Sequence, residues 1–236
     1  MQTPVTYTLA QGVATISIDD GKANAMSLAM LSAINAALDQ AQADNAVTVM
    51  RGRAGMFSGG FDLSVFKRDP HELCQMLEAG ARLAHRLLSF PHPVLAACTG
   101  HAVAMGAFLL LAADVRVGID LHTRIQVNEV QIGLTLPKFA IEICRQRLSP
   151  AHFNLAATTA LPYAPQQAMA AGFLDEVAPI DAFDSVVQLH CARLVGLNRE
   201  AFTATKLRLR EQSLQALRDA TAWDVADWAQ RFKTVA

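Results

Sequence analysis

From Ala102 to Ala113 the chain runs twelve residues without a polar side chain, until Asp114 closes the stretch. A helix that is apolar all the way round has no face to offer water and must be wrapped by other elements. The stretch is also well short of the roughly 20 residues a membrane-crossing helix needs. Strand signals flank it, Val94 to Ala97 before and Val115 to Gly118 after. With 236 residues, 52% hydrophobic and 17% charged, the chain can build the core that such a helix demands, as one large domain or a domain with an appendage.

The rest of the pattern fits around this centre. Val5, Tyr7 and Leu9 lead to a turn at Gln11-Gly12, and Val13 through Ile18 return as the second arm of a hairpin. Asp19-Asp20-Gly21 breaks it, and Ser27 caps a helix whose Leu28, Leu31, Ile34 and Leu38 share a side. Val47 to Met50 reads as a buried strand. Asp69-Pro70-His71-Glu72 opens a long helix, with Asp as N-cap and Pro at the first helical position. Strands alternating with helices in this way predict an α/β fold with a parallel sheet and right-handed crossovers. After about residue 137 cap signals multiply at Ser149-Pro150, Ala164-Pro165, Asp181 and Asn198, and Leu174 to Val177 is the one late strand-like run. The expected organisation is an α/β core over 1–180 and a helical region over 181–236 suited to docking or oligomerisation. Trp223 and Trp228 are expected to share one face of its last helix.

Charge and motifs remove several function classes. Twenty Lys+Arg against 21 Asp+Glu leave a formal charge of −1, which gives no bulk attraction to nucleic acid or an anionic membrane. Met1-Gln2-Thr3-Pro4 leads directly into strand-like sequence, so a cytoplasmic, untargeted protein is expected. Cys74, Cys98, Cys144 and Cys191 are widely spaced in apolar surroundings and read as free thiols. The seven histidines show no metal-ligand spacing, and no metal is expected. Dinucleotide-binding, phosphate-loop and nucleophile-elbow signatures are missing.

Two glycine-bearing loops follow strands. Gly55-Met56-Phe57-Ser58-Gly59-Gly60-Phe61-Asp62-Leu63 comes after Val47–Met50, and Thr99-Gly100-His101-Ala102-Val103-Ala104-Met105-Gly106-Ala107 opens the apolar helix. Both put backbone N–H groups at the carboxyl edge of a sheet, and the second adds a helix N-terminus. Two donors from different loops can stabilise one developing oxyanion. Two ordinary strand-to-helix turns would read the same way.

Five segments in order resemble the crotonase (enoyl-CoA hydratase/isomerase) superfamily over nearly the whole chain. These are Gly21–Ser27, Phe57–Leu63, Thr99–Asp114, Asn128-Glu129-Val130-Gln131-Ile132-Gly133-Leu134, and Ala168–Val177. The resemblance implies the crotonase (ClpP/crotonase-like) fold, a spiral of repeated ββα units with a helical C-terminal region. It also implies an acyl-CoA thioester substrate and an enolate held by two amides, which by position are those of Gly59 and Met105. Relatives mostly have glycine where Met105 stands, so a positive φ there would make methionine costly.

The resemblance places one catalytic glutamate at Glu129. Hydratases of the family carry a second on the buried helix, where this chain has Phe108. Hydration delivers water to C3 and benefits from a second polar group to orient it. Moving a double bond from C3–C4 to C2–C3 needs only one base, which an apolar wall would suit to shuttling a proton. A single-glutamate Δ3,Δ2-enoyl-CoA isomerase is therefore the first expectation. The alternatives are an enoyl-CoA hydratase, a non-catalytic acyl-CoA-binding homologue, and a thioester hydrolase or C–C lyase.

Further expectations concern substrate binding. Lys22, Ala23 and Ala25 belong to the CoA-contacting loop, with Ser58, Phe61, Asp62, Leu63, Phe66, Gly106, Phe108 and Leu134 around the acyl group. Met56, Val65, Met76 and Leu77 offer further apolar lining for a plain fatty acyl tail. Lys22 and Lys67 are candidates for the CoA phosphates, and so is Arg231 from the same or a neighbouring subunit. Asp62 and Asp114 read as braces rather than proton carriers. Coenzyme A enters as part of the substrate, with no separate cofactor. The family implies a homotrimer or hexamer.

Overall fold

The computed structural model describes residues 4–67 and 69–231; the side chain of Lys67 lies outside the described residues. Strands β1 (Val5–Ala10) and β2 (Val13–Ile18) form the expected antiparallel hairpin. Its turn places Gln11 at φ 51° and Gly12 at φ 76°, the left-handed pair whose twist matches the flanking strands. Helix α1 (Leu28–Ala43) begins where the Ser27 hydroxyl accepts the Met30 amide at 3.2 Å.

Three strand–strand units follow. The first is β3 (Val47–Arg51) and β4 (Gly55–Ser58), leading through a 3-10 turn at Val65–Lys67 to α2 (Pro70–Ser89). Asp69 caps α2 as expected, accepting the amides of His71 at 2.8 Å and Glu72 at 3.3 Å. The second is β5 (Val94–Cys98), β6 (Gly100–Val103) and the all-apolar α3 (Met105–Ala112). The third is β7 (Val115–Ile119), β8 (Ile125–Gln126) and a 3-10 turn at Val130–Ile132. Beyond these come α4 (Lys138–Arg145), α5 (Pro150–Thr159), α6 (Pro165–Ala171), β9 (Glu176–Ala178), α7 (Phe183–Val195) and α8 (Arg199–Arg231).

The first strands of the units make a six-stranded sheet, β1-β2-β3-β5-β7-β9, parallel apart from the hairpin. The second strands pair with one another in a separate parallel sheet, β4-β6-β8. This is the repeated ββα spiral of the crotonase fold. The small sheet corrects the reading of its segments as loops. Its strands are two to four residues long and begin at glycine or lie in polar surroundings, too short for alternation to show. The late strand is also shifted towards the C-terminus. Leu174 is not paired in it but packs on the sheet at Gly118, where an added Cβ would lie 2.4 Å from the leucine side chain.

Helix α8 lies along α2 and α4 and buries an unusual stripe: Lys206, Arg210, Leu214, Leu217, Ala220, Asp224 and Trp228. Trp228 is buried and Trp223 half exposed, so the pair does not share a face; five residues turn a helix by about 140° from eclipse. Each buried charge on the stripe has a partner. Asp224 accepts the Lys138 and Phe139 amides at 3.0 and 2.8 Å, capping α4, which begins at Pro137 without a polar cap of its own. Asp114, directly after α3, accepts the Val94 amide at 2.8 Å and pairs with Lys206 at 2.8 Å and Arg210 at 2.9 Å. The two cations reach on to the Leu87 and Leu88 carbonyls at the end of α2. Asp114 is thus a brace, as expected, with a charge role the sequence does not show. Among the described residues no helix is long and apolar enough to cross a membrane.

Replacing Asp114 by alanine leaves two buried cations facing each other. A loss of about 3 kcal/mol in chemical denaturation is expected, against under about 0.5 kcal/mol for Arg82→Ala, whose partner Glu78 is on the surface of α2. Equal midpoints for the two variants would refute the role given to Asp114.

Candidate active site

The first loop is held from below by the segment after β2. Asp20 accepts the amides of Lys22, Asn24 and Ala25 at 2.7, 2.9 and 3.1 Å. Burial opposes ionisation of Asp20, but these amides outweigh it and hold the carboxyl below its ordinary range. Asn24, fully buried at φ 50°, donates to the Ile18 and Phe57 carbonyls at 2.9 and 3.2 Å. The Ser58 hydroxyl donates to the Asn24 carbonyl at 2.9 Å and accepts the Gly60 amide at 3.1 Å. The Gly59 amide donates to the Ala23 carbonyl at 2.8 Å.

That last bond corrects the assignment of Gly59 as oxyanion donor, because its hydrogen is already engaged. The Gly60 amide is engaged too. Phe61 is the first residue of the loop whose amide has no acceptor among the described residues, and it borders the cavity. The Met105 amide, at the first turn of α3, likewise has none. The two loops touch: a Cβ added to Gly60 (φ 96°) would lie 2.8 Å from Ala104 Cβ and 3.5 Å from the Met105 nitrogen. The positive φ that would make methionine costly at 105 falls on Ala104, at φ 49° and ψ −121°. Met105 is helical, and its buried thioether sits with the Phe61 ring over Gly80 of α2. An added Cβ at Gly80 would lie 2.5 Å from that ring, which is why a glycine stands in the middle of α2.

Glu129 follows β8 and opens the third unit's 3-10 turn, its carbonyl accepting the Ile132 and Leu134 amides at 3.1 and 2.9 Å. Its side chain is buried, and Oε2 has no hydrogen-bond partner. Burial pushes its carboxyl up to about 7, against a small opposing effect of its own backbone amide. The carboxylate borders a cavity of about 240 Å³ walled by Phe61, Leu63, Phe66, Leu77, Phe108 and Leu134. Behind Phe108 stands an edge-to-face ladder, Phe108 to Phe139 at 6.0 Å and Phe139 to Trp228 at 6.3 Å. Glu129 is the one carboxylate bordering this cavity among the described residues.

The remaining expected residues divide. Lys22, Ala23, Ala25, Ser58, Asp62 and Gly106 do not border the cavity. Ala23, Ser58 and Asp62 hold loops instead, Asp62 by accepting the Ser64 amide at 3.0 Å. Gly106 permits α3 to meet β4, an added Cβ lying 2.5 Å from the Ser58 carbonyl oxygen. Lys22 is exposed, and its carbonyl accepts from the Arg53 Nε at 2.7 Å. Met56, Val65 and Met76 do not reach the cavity, the last two lying in the core. Arg231 does border it, paired with Asp227 at 2.7 Å. The sequence reading missed Asn128, Phe139 and Trp228 as wall residues; a helix start and an isolated tryptophan carry no mark of which cavity they face. No cluster of three metal-ligating side chains occurs among the described residues.

Comparison with known proteins gives the family and the fold. The family model described as enoyl-CoA hydratase/isomerase matches residues 8–234, and the chain belongs to that family. It is similar to an enoyl-CoA isomerase of Mycobacterium tuberculosis, at 44% identity and TM-score 0.91, covering 96% of this chain and 99% of that one. It is similar also to an enoyl-CoA hydratase of Mycobacterium marinum, at 42% identity and TM-score 0.91, covering 95% and 99%. Among curated proteins, human mitochondrial enoyl-CoA delta isomerase 1 is 25% identical over 212 residues, 87% of this chain and 70% of that protein.

The raised pKa of Glu129 carries a stability consequence. The folded chain penalises the ionised form, so the penalty is missing below about pH 4.5, grows as pH rises to about 7, and is constant above. Glu129→Gln cannot ionise, and its stability relative to the parent should therefore rise over that window, by up to about 3 kcal/mol. Parallel melting curves of the two proteins from pH 4.5 to 8 would contradict the burial argument.

Proposed function

We propose that this protein isomerises 3-enoyl-CoA esters to 2-enoyl-CoA esters, with Glu129 as the single proton carrier. The thioester oxygen sits between the amides of Phe61 and Met105. Glu129 removes a proton from C2; the C–H electron pair enters the dienolate and its charge settles on the thioester oxygen. The dienolate then takes the same proton back at C4, leaving the double bond at C2–C3. Each amide donor contributes about 3 kcal/mol to holding that charge. A base ionised near neutral pH can both take and return the proton. The reaction needs no cofactor beyond the CoA of the substrate.

The observation that carries this reading is the wall opposite Glu129. Phe108 fills the place from which a second carboxylate would orient water, and the aromatic ladder behind it keeps water from the dienolate. A hydratase is the second reading, favoured by the name of the M. marinum relative. Matched 3-enoyl and 2-enoyl CoA esters separate the two. The isomerase reading expects conjugated absorbance to appear from the first ester and to persist with the second. Its rapid loss from the second would favour hydration. Glu129→Gln should still bind CoA esters while turnover falls at least about a hundredfold; turnover near the parent's rate would exclude Glu129 as the base.

A further inference from the structure

The cavity beside Glu129 is too small for a whole CoA ester. Its volume of about 240 Å³ falls below the roughly 300–1,000 Å³ that encloses a drug-sized ligand. Lys22, Ala23 and Ala25 do not border it, whereas Phe61, Ala104 and Glu129 do. What fits inside is the acyl end, its carbonyl towards the two amide-bearing loops and its tail among apolar side chains. An apolar cavity of fixed size sets a length limit, which lies where the wall facing the end of the tail stands.

The aromatic ladder shows where that is. Phe108 follows Met105 by three residues on α3 and so belongs to the reacting end. Phe139 meets Phe108 at 6.0 Å and Trp228 at 6.3 Å, and among the described residues no ring contact joins Phe108 to Trp228 directly. The wall thus runs from the reacting end across α4 to α8, and the buried Trp228 is its last ring. Three residues further, Arg231 borders the cavity with its guanidinium on Asp227, so the lining turns there from apolar to charged. The depth of the indole is fixed by its own helix: Asp224, one turn earlier, accepts the Lys138 and Phe139 amides.

We propose that Trp228 is a specificity-determining residue that limits the acyl chain: the last carbons of the tail run against the indole, and longer chains find no further apolar room. This rests on the reading of the cavity as the acyl site of the proposed isomerisation. Truncating Trp228 joins a new apolar hollow to the cavity, and such hollows persist, stay dry and accept apolar groups.

The test is a calorimetric binding series with saturated straight-chain acyl-CoA esters, from butanoyl to dodecanoyl, which needs no turnover. In the parent, affinity should rise about fourfold for each added carbon that enters the cavity and then stop rising. In Trp228→Ala the rise should continue for about three more carbons, and in Trp228→Phe, which keeps a ring on Phe139, for about one. Trp223→Ala, on the half-exposed neighbour that does not border the cavity, should stop where the parent stops. A parent whose affinity climbs through dodecanoyl would overturn the proposal. So would Trp228→Ala and Trp228→Phe stopping at the parent's carbon, or Trp223→Ala moving the stop as far as Trp228→Ala does. A stop that moves in a protein without isomerase turnover keeps Trp228 in its role and rejects the reaction. Turnover of 3-enoyl esters with an unmoved stop does the reverse.

Discussion

Everything at the site depends on three short strands lying side by side. Strands β4, β6 and β8 pair in parallel, so the segments leaving them emerge at one edge and their ends must meet. The approach is closer than side chains allow. An added Cβ at Gly100 would lie 1.9 Å from the Gly55 carbonyl carbon, and one at Gly60 would press on Ala104. Backbone contact of this kind brings the Gly60–Phe61 segment against Ala104 and the start of α3, and Glu129 follows β8 beside the same cavity. The two amides proposed as oxyanion donors depend on strand pairing rather than on particular side chains, so a methionine at 105 is compatible with the proposal.

The carboxylate is the expensive part. A buried acid whose Oε2 has no hydrogen-bond partner gains little from its surroundings in the ionised form, and its raised pKa is the direct result of that cost. The rest of the chain supports it by keeping the cavity rigid. Asp114 ties the far end of α3 to α8 and, through Lys206 and Arg210, to the end of α2. Asp224 caps α4 and so places Phe139 behind Phe108. The C-terminal helix is therefore part of the active-site wall through Trp228, besides any part it plays between subunits.

Much of this was legible in the sequence wherever a residue's chemistry acts locally. The Ser27 and Asp69 caps, the Gln11-Gly12 turn and the all-apolar α3 follow from short-range rules, and the structure shows them where expected. What was not legible depends on contacts between distant segments. The small sheet is too short to leave a periodic pattern. Gly59 and Phe61 have equivalent amides until the Ala23 carbonyl, 36 residues earlier than Gly59, takes one of them. The strain at Ala104 rather than Met105 belongs to the junction with Gly60.

The aromatic ladder extends the proposed role of Phe108 beyond one side chain. A carboxylate at position 108 would sit on a helix with no exposed face, against Phe139, whose other contact is Trp228. Two carboxylates in one apolar cavity raise each other's proton affinity, so at neutral pH at least one would hold a proton unless water entered to solvate it. Admitting that water requires parting Phe108's neighbours, and Phe139 is fixed at the amide end by Asp224 and at the ring by Trp228. The dry wall is thus held by three helices at once, α3, α4 and α8. That wall is the physical ground on which the proposed isomerisation rests.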